Sequence, residues 1–127
     1  MLIDSELLPT YKDALENNPE AICKIADSYK FGVGVPQNHE IAHTWYEKLL
    51  PFENLNLPFI EYEYCYFIAG AAAYERNEFK LAFERYNKSL NLFVQKYGVQ
   101  EGFEKMNEFE FFDTYYHVKL LSDANCG

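Results

Sequence analysis

Ala21-Ile22-Cys23-Lys24-Ile25-Ala26-Asp27-Ser28-Tyr29-Lys30-Phe31-Gly32-Val33-Gly34-Val35-Pro36-Gln37-Asn38-His39-Glu40-Ile41-Ala42-His43-Thr44-Trp45-Tyr46 places small and aromatic residues at helical spacing on both sides of one glycine-proline turn. Upstream of the turn, Ile22, Ile25, Ala26 and Tyr29 share a stripe, and downstream Ile41, Ala42, Trp45, Tyr46 and Leu49 share another. Between them the glycines permit backbone angles closed to other residues, and Pro36 blocks helix continuation. Asn38 is placed to cap the downstream helix, expected over about 39–50. The same residues contain His39-Glu40-Ile41-Ala42-His43, which fits the zinc-peptidase pattern HExxH, so a structural and a catalytic reading compete here.

Working outward, the segment before the hairpin reads as a leading helix over 5–17. Ser5 is its expected cap, Pro9 falls in its first turn, and Leu8, Tyr11 and Leu15 are expected to line its inner face. Asn17-Asn18-Pro19 ends it and starts the next. After the hairpin, Pro51 to Pro58 is a proline-bounded connector. A fourth helix is expected from Phe59 to about Arg76, with Ile60, Tyr64, Phe67, Ala71 and Tyr74 in one stripe. Gly70 and its alanines would let a neighbour approach closely. Asn77 is the expected cap of a fifth helix ending near Gly98, with Leu81, Ala82, Tyr86, Leu90 and Phe93 inward. A sixth is expected from about Asn107 to Ser122, and no run alternates strongly enough to be a strand. The pattern predicts one all-α domain over 1–127, with about six helices.

An internal repeat supports hairpins. Ile41-Ala42, Tyr46, Lys48 and Leu50 recur forty residues on as Leu81-Ala82, Tyr86, Lys88 and Leu90, and Ala26-x-x-Tyr29 recurs forty-five residues on as Ala71-x-x-Tyr74. Repeats of this length are the signature of stacked helical units. Together Ala21, Ala26, Tyr29, Gly32, Gly34-Val35-Pro36, Ala42 and Trp45-Tyr46 resemble the Sel-one-like repeat, a relative of the tetratricopeptide repeat with a longer glycine-containing turn. The likeness covers about 14–50 clearly, and 58–93 more weakly, nearer the plain tetratricopeptide form. It departs from the family at Leu49-Leu50-Pro51, where alanines usually close the second helix, and in its longer connector. The resemblance implies a short right-handed α-solenoid: the leading helix, a Sel-one-like hairpin over 20–50, a second hairpin over 58–97, and an acidic aromatic cap and tail over 99–127. It also implies a non-enzymatic adaptor whose first helices line a binding face. On this chain that face would comprise Cys23, Asp27 and Lys30 from one hairpin and Cys65, Ile68, Ala72 and Glu75 from the other.

Charge and composition narrow the partners. A formal −9 disfavours nucleic acid and anionic membrane and favours a basic protein or simple solubility. Three cysteines at no short spacing, Cys23, Cys65 and Cys126, form neither a disulfide framework nor a cysteine metal site. With no leader-like N-terminus and no long apolar run, a cytoplasmic monomer is expected, and no cofactor is implied.

In a zinc peptidase, two His one turn apart hold the metal and the intervening Glu polarises a water. His39, Glu40 and His43 meet that spacing, with Glu61 or Glu63, about twenty residues on, as third-ligand candidates; His39, His43 and Glu47 together would at most bind a metal incidentally. In antiparallel packing, Glu61 and Glu63 would sit about 10 Å or more along the axis from His43, at 1.5 Å per residue. No strand is expected to hold an extended substrate either. The scaffold reading leads, with the minimal peptidase as its rival.

The remaining surface candidate is the tail, where Glu101, Glu104, Glu108, Glu110 and Asp113 interleave with aromatic residues. Phe109, Phe112, Tyr116 and Leu120 form one stripe, expected to suffice as the cap; Phe111, Tyr115 and Val118 lie nearly opposite, either buried by a wrapped connector or exposed as an aromatic anchor. On the fourth helix Tyr62 and Tyr66, off the core stripe beside Glu61, raise the same question. The expected function is binding of a basic protein, most concretely as an immunity protein neutralising a toxin or effector domain; a regulatory adaptor or chaperone-like scaffold is the alternative.

Overall fold

Two adjacent asparagines set the first turn. In a computed structural model that describes residues 3–124, α1 (Leu8–Leu15) and α2 (Pro19–Phe31) meet at Asn17-Asn18. Asn17 adopts a left-handed conformation (φ 66°) that lets the chain leave α1, and the Asn18 amide returns to the Asp13 carbonyl at 3.1 Å. The Asn18 side chain then accepts from the Ala21 amide at 3.1 Å, capping α2, with Pro19 in its first turn. At the far end Gly32 takes φ 71° and the Val33 amide returns to Ser28 O at 3.0 Å. A side chain there would be strained. Asn38 caps α3 (His39–Glu47) through the Ile41 amide at 3.0 Å.

The chain divides into two compact units, one ending at Glu61 and the other beginning at Tyr62. In the first, Ile22, Ile25, Ala26, Tyr29, Ala42 and Leu49 are buried, and the Tyr11 ring meets Trp45 edge-on at 5.8 Å. Three expectations are corrected here. Leu8 and Leu15 are exposed; α1 instead turns the small Ala14 inward, with half-buried Tyr11 reaching Trp45. Ser5 is not a cap, because the position before α1 is Leu7, with no side-chain bond. The third helix ends at Glu47, since Pro51 cannot continue the ladder, and a 3-10 helix, Leu50–Leu55, occupies much of the expected connector.

In the second unit α4 (Tyr62–Glu75) packs mainly against α5 (Phe79–Tyr97), followed by α6 (Val99–Asn107) and α7 (Phe111–Ala124). α4 is largely apolar and is buried at Tyr62, Glu63, Cys65, Ala69, Gly70, Ala72 and Ala73. Gly70 makes room for α5, since a Cβ there would lie 3.3 Å from the Tyr86 ring and from Ala82 O. Buried Glu63 pairs with Lys96 Nζ at 2.7 Å, and the Ser89 hydroxyl donates to the Glu63 carbonyl at 2.7 Å.

The core of this unit is a mesh of rings. Phe67 lies 4.7 Å from Phe109 and 5.5 Å from Tyr86, and Tyr86 meets Phe111 edge-on at 5.6 Å. Such pairs add about 0.5–1.5 kcal/mol each beyond area burial. Asn77 does not cap α5: it takes φ 62° and ends α4, the Glu78 amide returning to Ala73 O at 2.9 Å, and Glu78 precedes α5 with no side-chain capping bond, its carboxylate pairing with Arg76 instead. α4 begins at Tyr62 and not Phe59.

The tail also differs from expectation. It forms two helices where one was expected, α6 and α7, separated by a turn at Glu108-Phe109-Glu110 in which Glu110 is left-handed (φ 58°). With the 3-10 helix, the described residues contain eight helices in place of about six, and no strand. None is long and apolar enough to cross a membrane.

Candidate protein-binding surface

α6 turns Gly102 and Met106 inward. Gly102 sits so close to α5 that a Cβ would lie 3.0 Å from the Phe93 carbonyl oxygen. With that face fixed, Val99 and Phe103, one turn apart, fall at its outer edge and are 65% and 41% exposed. They border a groove of about 470 Å³ against α5, whose other lining residues include Lys88, Leu90, Leu92 and Val94.

α7 turns Phe111, Val118 and Ser122 inward, with half-buried Tyr115 donating a hydrogen bond to Asn87 Oδ1 at 2.8 Å. That leaves Tyr116 and Leu120 on the outside, 61% and 70% exposed. Phe112 joins the two helices, its ring 5.2 Å from Phe103 and 6.1 Å from Tyr116. The result is one apolar line, Val99, Phe103, Phe112, Tyr116 and Leu120. Scattered exposed apolar residues need no explanation, whereas a connected line of them is a candidate for an interaction surface.

The charge around this line is one-sided. From residue 99 to 124 there are six acids against two lysines, whereas 62–98 holds four acids against five basic residues. Glu101, Glu104, Glu108, Glu110 and Asp113 are all exposed. The lysines are engaged elsewhere: Lys105 Nζ lies 4.7 Å from the Tyr97 ring centre, and Lys119 pairs with Asp123 at 3.2 Å.

The expected contact residues divide accordingly. Glu104, Glu108 and Glu110 reach solvent as expected of a rim. Phe111 is fully buried and Tyr115 half-buried, because the stripe expected to be spare is the one that packs, and the stripe expected to cap the fold supplies the exposed residues. Tyr62 is buried, so it offers no surface, while half-buried Tyr66 lies under Lys88 Nζ at 5.8 Å. On the expected binding face, Cys65 and Ala72 are buried and Ile68 is half-buried, with Glu75 exposed.

In the first unit Asp27 is exposed and accepts a hydrogen bond from the Tyr46 hydroxyl, and half-buried Lys30 lies 5.2 Å over Phe31. The structure brings Asp27 and Glu61 to Cys23: burial first, then these two carboxylates, push its thiol up to about 11. A thiol so raised stays protonated near neutrality and is a poor nucleophile. Neither Cys23 nor Cys65 is in a disulfide, and Cys126 lies outside the described residues.

His39 and Glu40 are exposed and His43 and Glu47 half-buried on α3. Among the described residues, no three His, Cys, Asp or Glu side chains converge to hold a metal ion. Comparison with known protein families, curated proteins and solved structures gives no match. Nothing marked the exposed line beforehand except its spacing: Val99 and Phe103 are four apart, as are Phe112, Tyr116 and Leu120, with charges between them. Which α7 stripe would pack depended on where the preceding turn fell.

Proposed function

We propose that this chain is a non-enzymatic binding protein that docks a basic protein partner on its α6–α7 surface. The observation that carries this reading is the exposed line of Phe103, Tyr116 and Leu120 among exposed acids. Acids accelerate encounter with a cationic partner, and buried aromatic and aliphatic anchors supply most of the affinity. The resemblance of α2–α3 to a Sel-one-like hairpin, and of α4–α5 to a tetratricopeptide-like one, supports the same class, since such hairpins serve as scaffolds for protein contacts. A cytoplasmic immunity protein that neutralises a basic toxin domain is the most concrete form of the proposal.

The test is genetic and biochemical together. Products of the genes adjacent to this one are expressed singly and with this chain. One of them is expected to arrest growth, to be rescued by co-expression, and to bind the purified protein. Replacing Glu104, Glu108 and Glu110 with Lys is expected to slow association at least tenfold at low salt. If no neighbouring product is toxic or bound, the immunity form fails; if a bound basic partner ignores the charge reversal, the surface assignment fails.

A further inference from the structure

This inference rests on the reading of α6–α7 as the binding surface and names what occupies it. We infer that the occupant is a single amphipathic helix of the partner, apolar along one face and flanked by Lys or Arg. A strand would need an open sheet edge to pair with, and the described residues offer none. A helix needs a narrow apolar track with anchors spaced by turns, and the surface has that form.

The track begins at the α5–α6 groove, where Leu90, Leu92, Val94 and Val99 line the walls together with Lys88, Asn91 and Gln95, so that an apolar side chain enters between polar flanks. It continues over Phe103 and Phe112, whose rings are 5.2 Å apart, and along α7 through Tyr116 to Leu120. The α7 part alone spans eight residues, about 12 Å at 1.5 Å per residue, matching two turns of a partner helix with anchors at i, i+4 and i+7.

Charge fixes the rest of the occupant's chemistry. Glu104 is exposed on α6, exposed Glu108 follows at its C-terminal end, and exposed Asp113 follows Phe112 at the start of α7. The track is therefore bordered by carboxylates on both helices, and the two nearby lysines face Tyr97 and Asp123. A second copy of this chain would bring like charge against like charge, so a cationic partner fits better.

The experiment uses the full chain and three labelled synthetic peptides of one length, read by fluorescence anisotropy. The first is a helix-forming peptide with Leu at i, i+4, i+7 and i+11 and Lys on its flanks; the second has the same composition scrambled; the third carries Glu in place of Lys. The first is expected to bind at least tenfold tighter than either control, and Leu120→Lys or Tyr116→Ala, both at exposed positions, to weaken it at least tenfold. Equal binding of the scrambled peptide, or no binding of the first, overturns the inference, as does self-association of the chain abolished by Leu120→Lys. A basic partner that binds the chain and is weakened by charge reversal at Glu104 and Glu108, but not by Leu120→Lys, leaves the proposed function standing and removes only the helix.

Discussion

The two units hold their helices in different ways. In the first, α2 and α3 each start at an asparagine whose side chain caps the helix, Asn18 and Asn38, and α2 stops at a left-handed glycine. In the second, neither α5 nor α6 has a side-chain cap, and the position before each is Glu78 or Gly98. What the second unit has instead is the mesh of Phe67, Tyr86, Phe93, Phe109 and Phe111. One unit is specified by local backbone chemistry, the other by rings that meet only once the chain has folded.

That contrast predicts where each unit breaks. The largest effect is expected at Phe111, fully buried between Tyr86 and Phe67. Phe111→Ala should cost about 3–5 kcal/mol, as large-to-small changes of buried aromatics do, and should expose α7 to proteolysis. Urea unfolding measures it. A loss under about 1 kcal/mol, within the range of an ordinary surface change, would make α7 an appendage and not a wall of the core.

Next is the contact between α5 and α6. Gly102→Ala places a methyl group 3.0 Å from the Phe93 carbonyl oxygen and 3.2 Å from its carbon, backbone atoms that cannot swing aside. The expected loss is about 1–3 kcal/mol despite alanine's better helix propensity. A stabilised variant would show that α6 is loosely docked and that Val99 and Phe103 are not held in place. Thermal unfolding with near-ultraviolet circular dichroism, sensitive to Tyr97 and its neighbours, reads both.

The caps come third. Asn18→Ala and Asn38→Ala should each cost about 1 kcal/mol, while Glu78→Ala, at a start with no capping bond, should stay within about 0.5 kcal/mol. If Glu78→Ala costs as much as the asparagines, the contrast between the units disappears.

The same contrast explains what could be read from the chain. Asn17-Asn18-Pro19, the turn Gly32 to Pro36, and Asn38 carry their meaning locally, so the hairpin of α2 and α3 and its buried stripes are legible from residues alone. On α1 the larger Leu8 and Leu15 suggest the inner face, yet the structure turns Ala14 and Tyr11 toward the hairpin and leaves both leucines exposed. Asn77 was misread because one asparagine can either end a helix in the left-handed region or cap the next, and Asn17-Asn18 uses one residue for each task. In the tail no glycine or proline marks the stop between α6 and α7. The sequence therefore points to one helix from about Asn107 with nothing over 99–106, and leaves open whether the Phe111, Tyr115 and Val118 stripe is buried, which the structure shows it is for Phe111 and Val118. The exposed line was hidden for that reason: its residues were visible, but their phase was not.

The smallest effect is expected where that stop occurs. Among the described non-glycine residues with positive φ, three are asparagines, Asn17, Asn56 and Asn77, and the fourth is Glu110. Asparagine occupies this region readily because its short amide can bond the local backbone, whereas a longer side chain pays about 1 kcal/mol in steric strain. Glu110→Asn should therefore raise stability by about 0.5–1 kcal/mol, measured as a higher urea midpoint at unchanged slope. The reverse exchange, Asn77→Glu at the end of α4, should lower it by a similar amount. A Glu110→Asn variant that is more stable yet binds a basic partner more weakly would place the carboxylate on the working rim, with the strained turn retained for its charge. A variant no more stable than the parent would mean that the turn is held by its three successive i→i+3 bonds, ending in Glu110 N–H to Asn107 O at 3.2 Å, whatever residue stands there.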